Sequence, residues 1–155
     1  MEQINQNDNI LSVENLVVHY TANEEVIEAV NGISFSLQKG KTLGLVGETG
    51  AGKTTIAKSI LRILPDPPAK IRGGKILFDG MDLLSLPEVK MRKVRGDQIS
   101  MIFQDPMTAL NPIKTIGDQI KEVICLHQEG SRKEAEFRAI EMLEMVGISG
   151  DRYGE

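Results

Sequence analysis

The sequence predicts an α/β fold in which an antiparallel β region precedes a strand, a glycine-rich loop and a helix. Apolar and polar residues alternate over 33–38, as in a sheet with one exposed face. A short apolar run at 42–47 leads directly into a stretch rich in glycine. An apolar repeat with helical spacing then begins at residue 53. This order of elements is typical of the α/β class.

Strands are predicted wherever β-favouring residues run between turn residues. The segment at 73–84 contains the turn dipeptide Asp79-Gly80, which should end the strand. The run at 42–47 is short and apolar, as expected for a buried strand of a parallel sheet. The predicted strands are 11–20, 26–40, 42–47, 73–84 and 98–105.

Helices are predicted where apolar residues recur every three or four positions. The helix at 53–64 should stop at the proline-rich stretch 65–68. In the last predicted helix Phe137, Ile140 and Leu143 share a face, and Gly147 is a suitable C-cap. The predicted helices are 53–64, 87–96 (a short basic helix or loop), 111–128 and 131–148.

Length, charge and cysteine content limit the class of protein. The 155 residues suit one domain, or one domain with a small appendage. A net charge of -4 gives no basic excess, so nucleic acid is not an expected partner. Cys125 is the only cysteine, which excludes an internal disulfide and favours a reducing compartment. Residues 1–10 are polar and should be frayed, and we expect any membrane role to depend on a partner protein.

The glycine-rich stretch fits the P-loop pattern G-x-x-x-x-G-K-[S/T], which binds nucleotide phosphates. A predicted strand enters it and a predicted helix leaves it, as the motif requires. The motif predicts that the loop surrounds the phosphates of a nucleoside triphosphate. Its members before the lysine are Gly47, Glu48, Thr49, Gly50, Ala51 and Gly52.

Physical chemistry assigns a role to each part of this loop. Glycines let backbone N–H groups point at an anion, and the N-terminus of the following helix adds its free amides and positive dipole end. Lys53 supplies a point charge for the β- and γ-phosphates. The Thr54 hydroxyl is a hard ligand for Mg²⁺, and Thr55 is placed to bond an α-phosphate oxygen.

A second informative stretch is ISMIFQDPMTALNP at 99–112. It delivers Gln104 at the end of a predicted strand, just before Asp105-Pro106. Such a glutamine could reach Mg²⁺ or an attacking water, but chemistry alone favours the simpler interpretation of an exposed amide at a strand end. Pro106 and Pro112 would keep the following loop semi-rigid, which suits a contact with a partner.

Together, GETGAGKTT and MIFQDPMTALNP resemble the ATP-binding cassette (ABC) transporter ATPases, over about residues 11–153. Within this family, the sequence is similar to the ATPase subunits of oligopeptide and dipeptide importers, a branch that also includes nickel and glutathione importers. The resemblance implies that Gln104 opens the Q-loop, which contacts Mg²⁺ and the membrane subunit. It also implies that Tyr20, which ends the strand segment LVVHY, stacks on adenine. Position 54 departs from the branch, where serine is frequent, but threonine keeps the hydroxyl.

The resemblance further implies an ABC ATPase core with an antiparallel β-subdomain and P-loop core at 11–105, and a Q-loop and incomplete helical subdomain at 106–155. The parent protein would hydrolyse MgATP, with Lys53 and Gln104 as catalytic groups. It would act as a dimer of ATPase subunits at the cytoplasmic face of the membrane. Its partners would be permease subunits, reached through the Q-loop region, and indirectly an extracytoplasmic binding protein that delivers peptides.

Several family motifs do not occur in these 155 residues. They are the LSGGQ-type signature, the Walker B strand with its Asp and catalytic Glu, and the switch His; His19 and His127 do not match the last of these. We therefore expect this chain by itself to bind nucleotide but to be marginally stable and effectively inactive as an ATPase, with apolar surface left exposed beside the P-loop strand.

Three alternatives remain open at this stage. One is a non-transport ABC ATPase acting on DNA or ribosomes, against which the acidic balance argues. Another is a different P-loop enzyme, such as a small kinase or a GTPase, although the N-K-x-D motif of GTPases is absent. The last is a non-catalytic module that binds ATP as a structural ligand.

Overall fold

A computed structural model describes residues 8–105 and 110–155 of the chain. Close contacts between residues divide the chain into two compact units, one ending at Met91 and one running from Arg92 to Glu155. Each unit is described by itself below. The domain boundaries drawn from the sequence stay a prediction.

The first unit is built on a four-stranded antiparallel sheet. Its strands are β1 (Asn9–Ala22), β2 (Glu25–Gln38), β3 (Ala69–Phe78) and β4 (Met81–Asp82), in the spatial order β2-β1-β3-β4. β1 therefore lies between β2 and β3 and pairs with both. The predicted antiparallel region is confirmed. Its first strand begins at Asn9, so the expected fraying does not extend to Asn9 and Ile10, and residues 1–7 lie outside the described range.

Two tight turns join these strands. Asn23 and Glu24 have φ of 50° and 68°, and Asp79 and Gly80 have φ of 45° and 81°. Two successive positive φ values are those of a type I′ turn, whose twist matches an antiparallel hairpin. The predicted turn at Asp79-Gly80 is confirmed, although the strand before it starts at Ala69, four residues earlier than expected.

The core of the first unit lies against one face of this sheet. Completely buried side chains come from β1, from β3 and from the segment that follows β4. Residues two apart on a strand point to the same face, so Val13 and Leu16, which are three apart, cannot both be buried by simple alternation. The register of β1 shifts between Val13 and Leu16, and this irregularity lets both side chains enter the core. The most deeply buried apolar residues are Val13, Leu16, Val18, Ile76, Leu83 and Met91.

Helix α1 (Lys53–Ile60) begins where the sequence predicts but ends four residues before residue 64. Arg62 has a φ of 52°, and the Ile63 amide bonds back to the Lys58 carbonyl at 3.0 Å, a backbone arrangement that ends a helix. The Arg62 guanidinium donates to the carbonyls of Leu83 (3.1 Å) and Leu86 (2.6 Å). These bonds hold Arg62 in its left-handed conformation and explain why α1 ends before residue 64.

The predicted strands at 42–47 and 98–105 are wrong as strands. Residues 41–48 run without regular structure, and Ile99 makes only an isolated bridge to Arg95. A strand exists only through its ladder of hydrogen bonds with a neighbour. Among the described residues the only sheet is the antiparallel one, so neither segment has such a partner. The side chains of Leu45 (44% exposed) and Val46 (91% exposed) are uncovered, as expected.

Helical structure dominates the later part of the chain. The elements are α2 (Glu88–Val94), in which the division between units falls, α3 (Ile116–His127), α4 (Arg132–Met145) and a 3-10 helix (Gly150–Gly154). α3 starts five residues later than predicted because Thr115 caps it, its side chain accepting from the Asp118 amide. Among the described residues, no helix is long and apolar enough to cross a membrane.

A small core joins α3, α4 and the 3-10 helix. Ile124, Ala135 and Ala139 are buried together, with Ile120 and Tyr153 packed against them. The predicted apolar face of α4 is wrong at Phe137, whose side chain is 64% exposed. The small residues Ala135 and Ala139 face α3 instead, which lets the helices approach closely. Gly147, with a φ of 79°, follows the end of α4, so the predicted glycine stop is confirmed.

Candidate nucleotide-binding site

The glycine-rich loop lies between the irregular segment 41–46 and α1. It turns where the Ala51 amide donates to the Glu48 carbonyl at 3.2 Å. Gly50 and Gly52 have φ of 86° and 80°, which side-chain-bearing residues rarely adopt. Gly50 and Gly52 therefore serve the backbone shape of the loop, and the role of the motif in binding phosphate stays a prediction.

Gly52 also lies against β2. A Cβ at this position would come within 2.5 Å of the Ala29 carbonyl oxygen and 3.4 Å of Val30 Cγ2. No side chain fits such a gap without moving the backbone of β2. The close approach seats the start of α1 directly on the sheet.

The N-terminus of α1 is open to an anion. Gly52 is its N-cap and supplies no side-chain hydrogen bond, and no acidic residue occupies the first turn. The first amides of a helix lack partners within the helix, and the aligned dipoles place partial positive charge there. Only at Ile56 does the ladder begin, with a bond to the Gly52 carbonyl at 2.9 Å. The arrangement suits a phosphate group.

Lys53 folds back over the loop. Its Nζ donates to the carbonyl of Gly47 at 2.6 Å and to that of Glu48 at 2.5 Å. The ammonium group therefore lies inside the curve of the loop, next to the open helix end. A positive charge at this place, close to the unpaired first amides of α1, is suited to pair with a phosphate group.

Thr54 and Thr55 are the second and third residues of α1. Thr54 is exposed, so its hydroxyl is accessible to a bound ion. Thr55 is half-buried, and its Oγ lies 3.4 Å from the hydroxyl of Tyr20. The Thr55 carbonyl accepts a bond from Ser59 Oγ at 2.7 Å, and Ser59 is completely buried. Tyr20, near the end of β1, thereby lies beside the first turn of α1.

The residues present fit a nucleotide with Mg²⁺. The start of α1 offers its first amides, Lys53 offers one ammonium group, and Gly50 leaves open space beside the loop backbone; this donor set matches a polyphosphate. The Thr54 hydroxyl offers one hard oxygen, and Mg²⁺ in such sites takes its remaining ligands chiefly from phosphates and water. The aromatic ring of Tyr20 lies on the same side of the unit, close enough for its hydroxyl to contact Thr55.

Gln104 is exposed and lies at a bend in the second unit. That Gln104 joins the P-loop in a Mg²⁺ site stays a prediction. The partner-contacting loop predicted around Pro106 falls partly outside the described residues, since 106–109 are not among them.

Two contributors to the site were not found from the sequence. Ala29 supplies the carbonyl against which Gly52 packs, a contact between distant parts of the chain that no local pattern signals. Ser59 Oγ donates to the carbonyl of Thr55. Its position four residues after Thr55 on a predicted helix could have indicated this bond, because a helical serine often donates to the carbonyl four residues before it.

Curated relatives with similar sequences are ATP-binding proteins of transporters. The chain is 48% identical over 142 residues to a probable peptide ABC transporter ATP-binding protein of Sinorhizobium fredii, covering 92% of this chain and 42% of the relative. It is 45% identical to the oligopeptide transport ATP-binding protein OppD of Bacillus subtilis, covering 90% and 39%. The glutathione import ATP-binding protein GsiA of Shigella flexneri is 43% identical, with 90% and 23% covered. The chain thus spans about two fifths of the length of the first two relatives.

Solved structures share the fold. A dimeric, post-hydrolysis form of the ATP-binding cassette MJ0796, bound to ADP and phosphate, matches with a TM-score of 0.78 at 23% identity, covering 94% of this chain and 60% of that one. CbiO1 from Clostridium perfringens, part of the ABC transporter complex cbiONQ, matches with a TM-score of 0.62 at 26% identity, covering 91% and 51%. These matches confirm the predicted fold class, a partial ABC ATPase fold.

The family model described as ABC transporter matches residues 30–154, which include the whole P-loop and α1. The resemblance to the peptide importer branch is confirmed by the names of the relatives above. The chain belongs to the ABC transporter family of ATP-binding proteins.

Proposed function

We propose that this chain binds ATP and is the nucleotide-binding part of an ATPase subunit that energises the uptake of short peptides. The observation that carries the proposal is the open N-terminus of α1, with the Lys53 ammonium held beside it by the Gly47 and Glu48 carbonyls. Cationic and amide donors converge there without a competing acidic side chain in the first helical turn. A triphosphate is the ligand that this donor set fits best.

Each site residue has a role in the proposal. The amides of the loop from Gly47 to Gly52, including those of Glu48, Thr49, Gly50 and Ala51, surround the β-phosphate. Lys53 neutralises charge on the β- and γ-phosphates and Thr55 donates to the α-phosphate, while Tyr20 packs its ring on the adenine. Thr54 and Gln104 would hold Mg²⁺, which when bound neutralises phosphate charge.

The cargo is inferred from the relatives. Two of those named above are peptide or oligopeptide transport proteins and one is a glutathione import protein. Glutathione is itself a short peptide, so this cargo class is common to all three. We infer that the whole protein serves a peptide importer.

Partners and location follow from the same proposal. A second ATPase subunit would complete the catalytic assembly; the matched MJ0796 cassette is described as dimeric. Permease subunits would dock at the Q-loop region that starts at Gln104, and a binding protein would act indirectly from outside. The subunit would then work at the cytoplasmic face of the membrane, with the P-loop core at 11–105 and the helical subdomain beginning at 106.

The proposal is tested by removing one lysine at a time from α1. Lys53→Ala should weaken ATP binding in the presence of Mg²⁺ by roughly 10- to 150-fold, the loss expected for hydrogen bonds to a charged group. Lys58→Ala, with the same charge change in the last turn of the same helix, is the matched control and should bind as the unchanged protein does. Dissociation constants are measured by equilibrium titration with a fluorescent ATP analogue. Equal affinities for the two variants would overturn the assignment of the P-loop as the ATP site.

A further inference from the structure

We propose that the Tyr20 hydroxyl positions the Thr55 hydroxyl for a phosphate oxygen, so that Tyr20 serves the phosphates as well as the base. The inference rests on the proposed function and deepens it. Tyr20 O–H would donate to Thr55 Oγ, and Thr55 O–H would donate to the nucleotide. The observation behind it is the 3.4 Å separation of the two hydroxyl oxygens.

The place of Tyr20 is set by its strand. β1 is central, and Tyr20 faces Ile27 of β2 on one side and Ala69 of β3 on the other. The next amide, that of Thr21, donates to the Pro68 carbonyl at 2.9 Å. Because the backbone is held from both sides, the hydroxyl can leave Thr55 only by a change of side-chain rotamer.

The place of Thr55 is set independently. Its carbonyl accepts from the buried Ser59 hydroxyl at 2.7 Å. Gly52, three residues before Thr55, lies against the Ala29 carbonyl of β2 with no room for a Cβ. The start of α1 and the sheet that carries Tyr20 are therefore seated on each other within one unit.

The direction of the hydrogen bond follows from the ligand. A hydroxyl has one proton to donate and two lone pairs to accept with, so in the free protein either residue can be the donor. A phosphate oxygen can only accept, and it takes the Thr55 proton. Tyr20 must then donate to Thr55 Oγ. Polarisation along such a chain strengthens each bond, so we expect the long 3.4 Å contact to tighten when phosphate is bound.

Two other roles for Tyr20 make opposite predictions. If only its ring matters, loss of the hydroxyl changes nothing for any ligand. If the contact instead keeps Thr55 away from phosphate, loss of the hydroxyl tightens binding. A ligand with phosphates but no base separates these roles from ours.

The test is a titration of four proteins with inorganic tripolyphosphate and, separately, with ATP: the unchanged chain, Tyr20→Phe, Thr55→Val and the double variant. Tyr20→Phe keeps the ring. We expect it to weaken both ligands by the same factor, roughly two- to tenfold, the usual weight of one neutral hydrogen bond. The double variant should bind no more weakly than Thr55→Val alone, because the two hydroxyls act in series.

The chain offers a matched control. Tyr153 is the only other tyrosine and lies in the second unit, so Tyr153→Phe should leave both affinities unchanged. The protein has no tryptophan, so its near-ultraviolet absorption at wavelengths longer than the phenylalanine band reports tyrosine alone. Tripolyphosphate should change this spectrum in the unchanged chain and in Tyr153→Phe but not in Tyr20→Phe.

The failures are distinguishable. Tripolyphosphate affinity of Tyr20→Phe equal to or tighter than that of the unchanged chain overturns the inference and leaves the ATP site intact. Additive losses in the double variant also overturn it. If the unchanged chain binds neither ligand, the proposed function itself fails and the inference fails with it.

Discussion

At the scale of single residues, the site depends on backbone positions that strongly favour glycine. Gly52 combines a φ of 80° with a backbone oxygen 2.5 Å from where a Cβ would stand. Gly40 has a similar φ of 70° but no heavy atom within 4 Å of that point. Comparing Gly52 with Gly40 separates the stability cost of a side chain in the left-handed conformation from the cost of a side chain that meets the Ala29 oxygen.

We expect Gly52→Ala to lower the free energy of unfolding by about 2–5 kcal/mol, the sum of left-handed strain and overpacking. Gly40→Ala should cost about 1–2 kcal/mol, from strain alone. Gly52→Ala should also weaken ATP binding, because the start of α1 must shift. Urea unfolding and nucleotide titration measure the two effects. Equal stability losses in both variants would show that the contact with Ala29 does not constrain the loop.

Motif spacing predicted the residues of the loop but not what supports them. The pattern from Gly47 to Thr54 depends on neighbours in sequence, so it can be read directly. The support comes from Ala29 and Tyr20, which lie 23 and 35 residues before Gly52 and Thr55. Such pairings are set by the register of the sheet, which no local pattern contains.

At the scale of elements, α4 shows how local chemistry fixes a helix start. Ser131 Oγ accepts from the Glu134 amide at 3.2 Å, and Glu134 Oε2 accepts from the Ser131 amide at 2.7 Å, a complete capping box. The bond from the Ser131 amide lowers the pKa of Glu134 below its ordinary value of 4.5. The hydrogen bond from the Ser131 amide to the ionised Glu134 carboxylate therefore stabilises the fold above pH 4.5, and this stabilisation is lost as the pH falls through the lowered pKa of Glu134.

Ser131→Ala should therefore lower the free energy of unfolding by about 1 kcal/mol, the usual loss for an N-cap. Ser149 stands at the corresponding position before the 3-10 helix but makes no capping bond, so Ser149→Ala is the control and should be nearly neutral. Thermal and urea unfolding at neutral pH compare the two. A loss from Ser149→Ala as large as that from Ser131→Ala would contradict the assigned role of the capping box.

Elements whose signals are local were predicted well, and those that need a partner were not. The hairpin of β1 and β2 follows from alternation and turn residues, and α4 from its periodicity. The apolar run at 42–47 reads as a strand but has no neighbour to bond with among the described residues. α1 ended early because Arg62 reaches carbonyls more than 20 residues away, which spacing within the helix cannot reveal.

At the scale of the whole molecule, the chain comprises two compact units with different supports. The first is held by an antiparallel sheet and carries the P-loop, Tyr20 and α1; the second is held by α3, α4 and the 3-10 helix. All the residues that contact one another at the candidate ATP site belong to the first unit. Phosphate binding should therefore be a property of the first unit, whether or not the second unit contacts partner proteins.

The most direct test of this assignment is the amide spectrum of the ¹⁵N-labelled chain during titration with ATP and Mg²⁺. The largest chemical-shift changes should fall on the amides of Gly50, Gly52, Lys53, Thr54 and Thr55, with a smaller change at Tyr20 and none along α4. This result is expected because the open end of α1 and the loop supply the donors. An unchanged spectrum, or changes concentrated on α3 and α4, would contradict the P-loop as the ATP site of this chain.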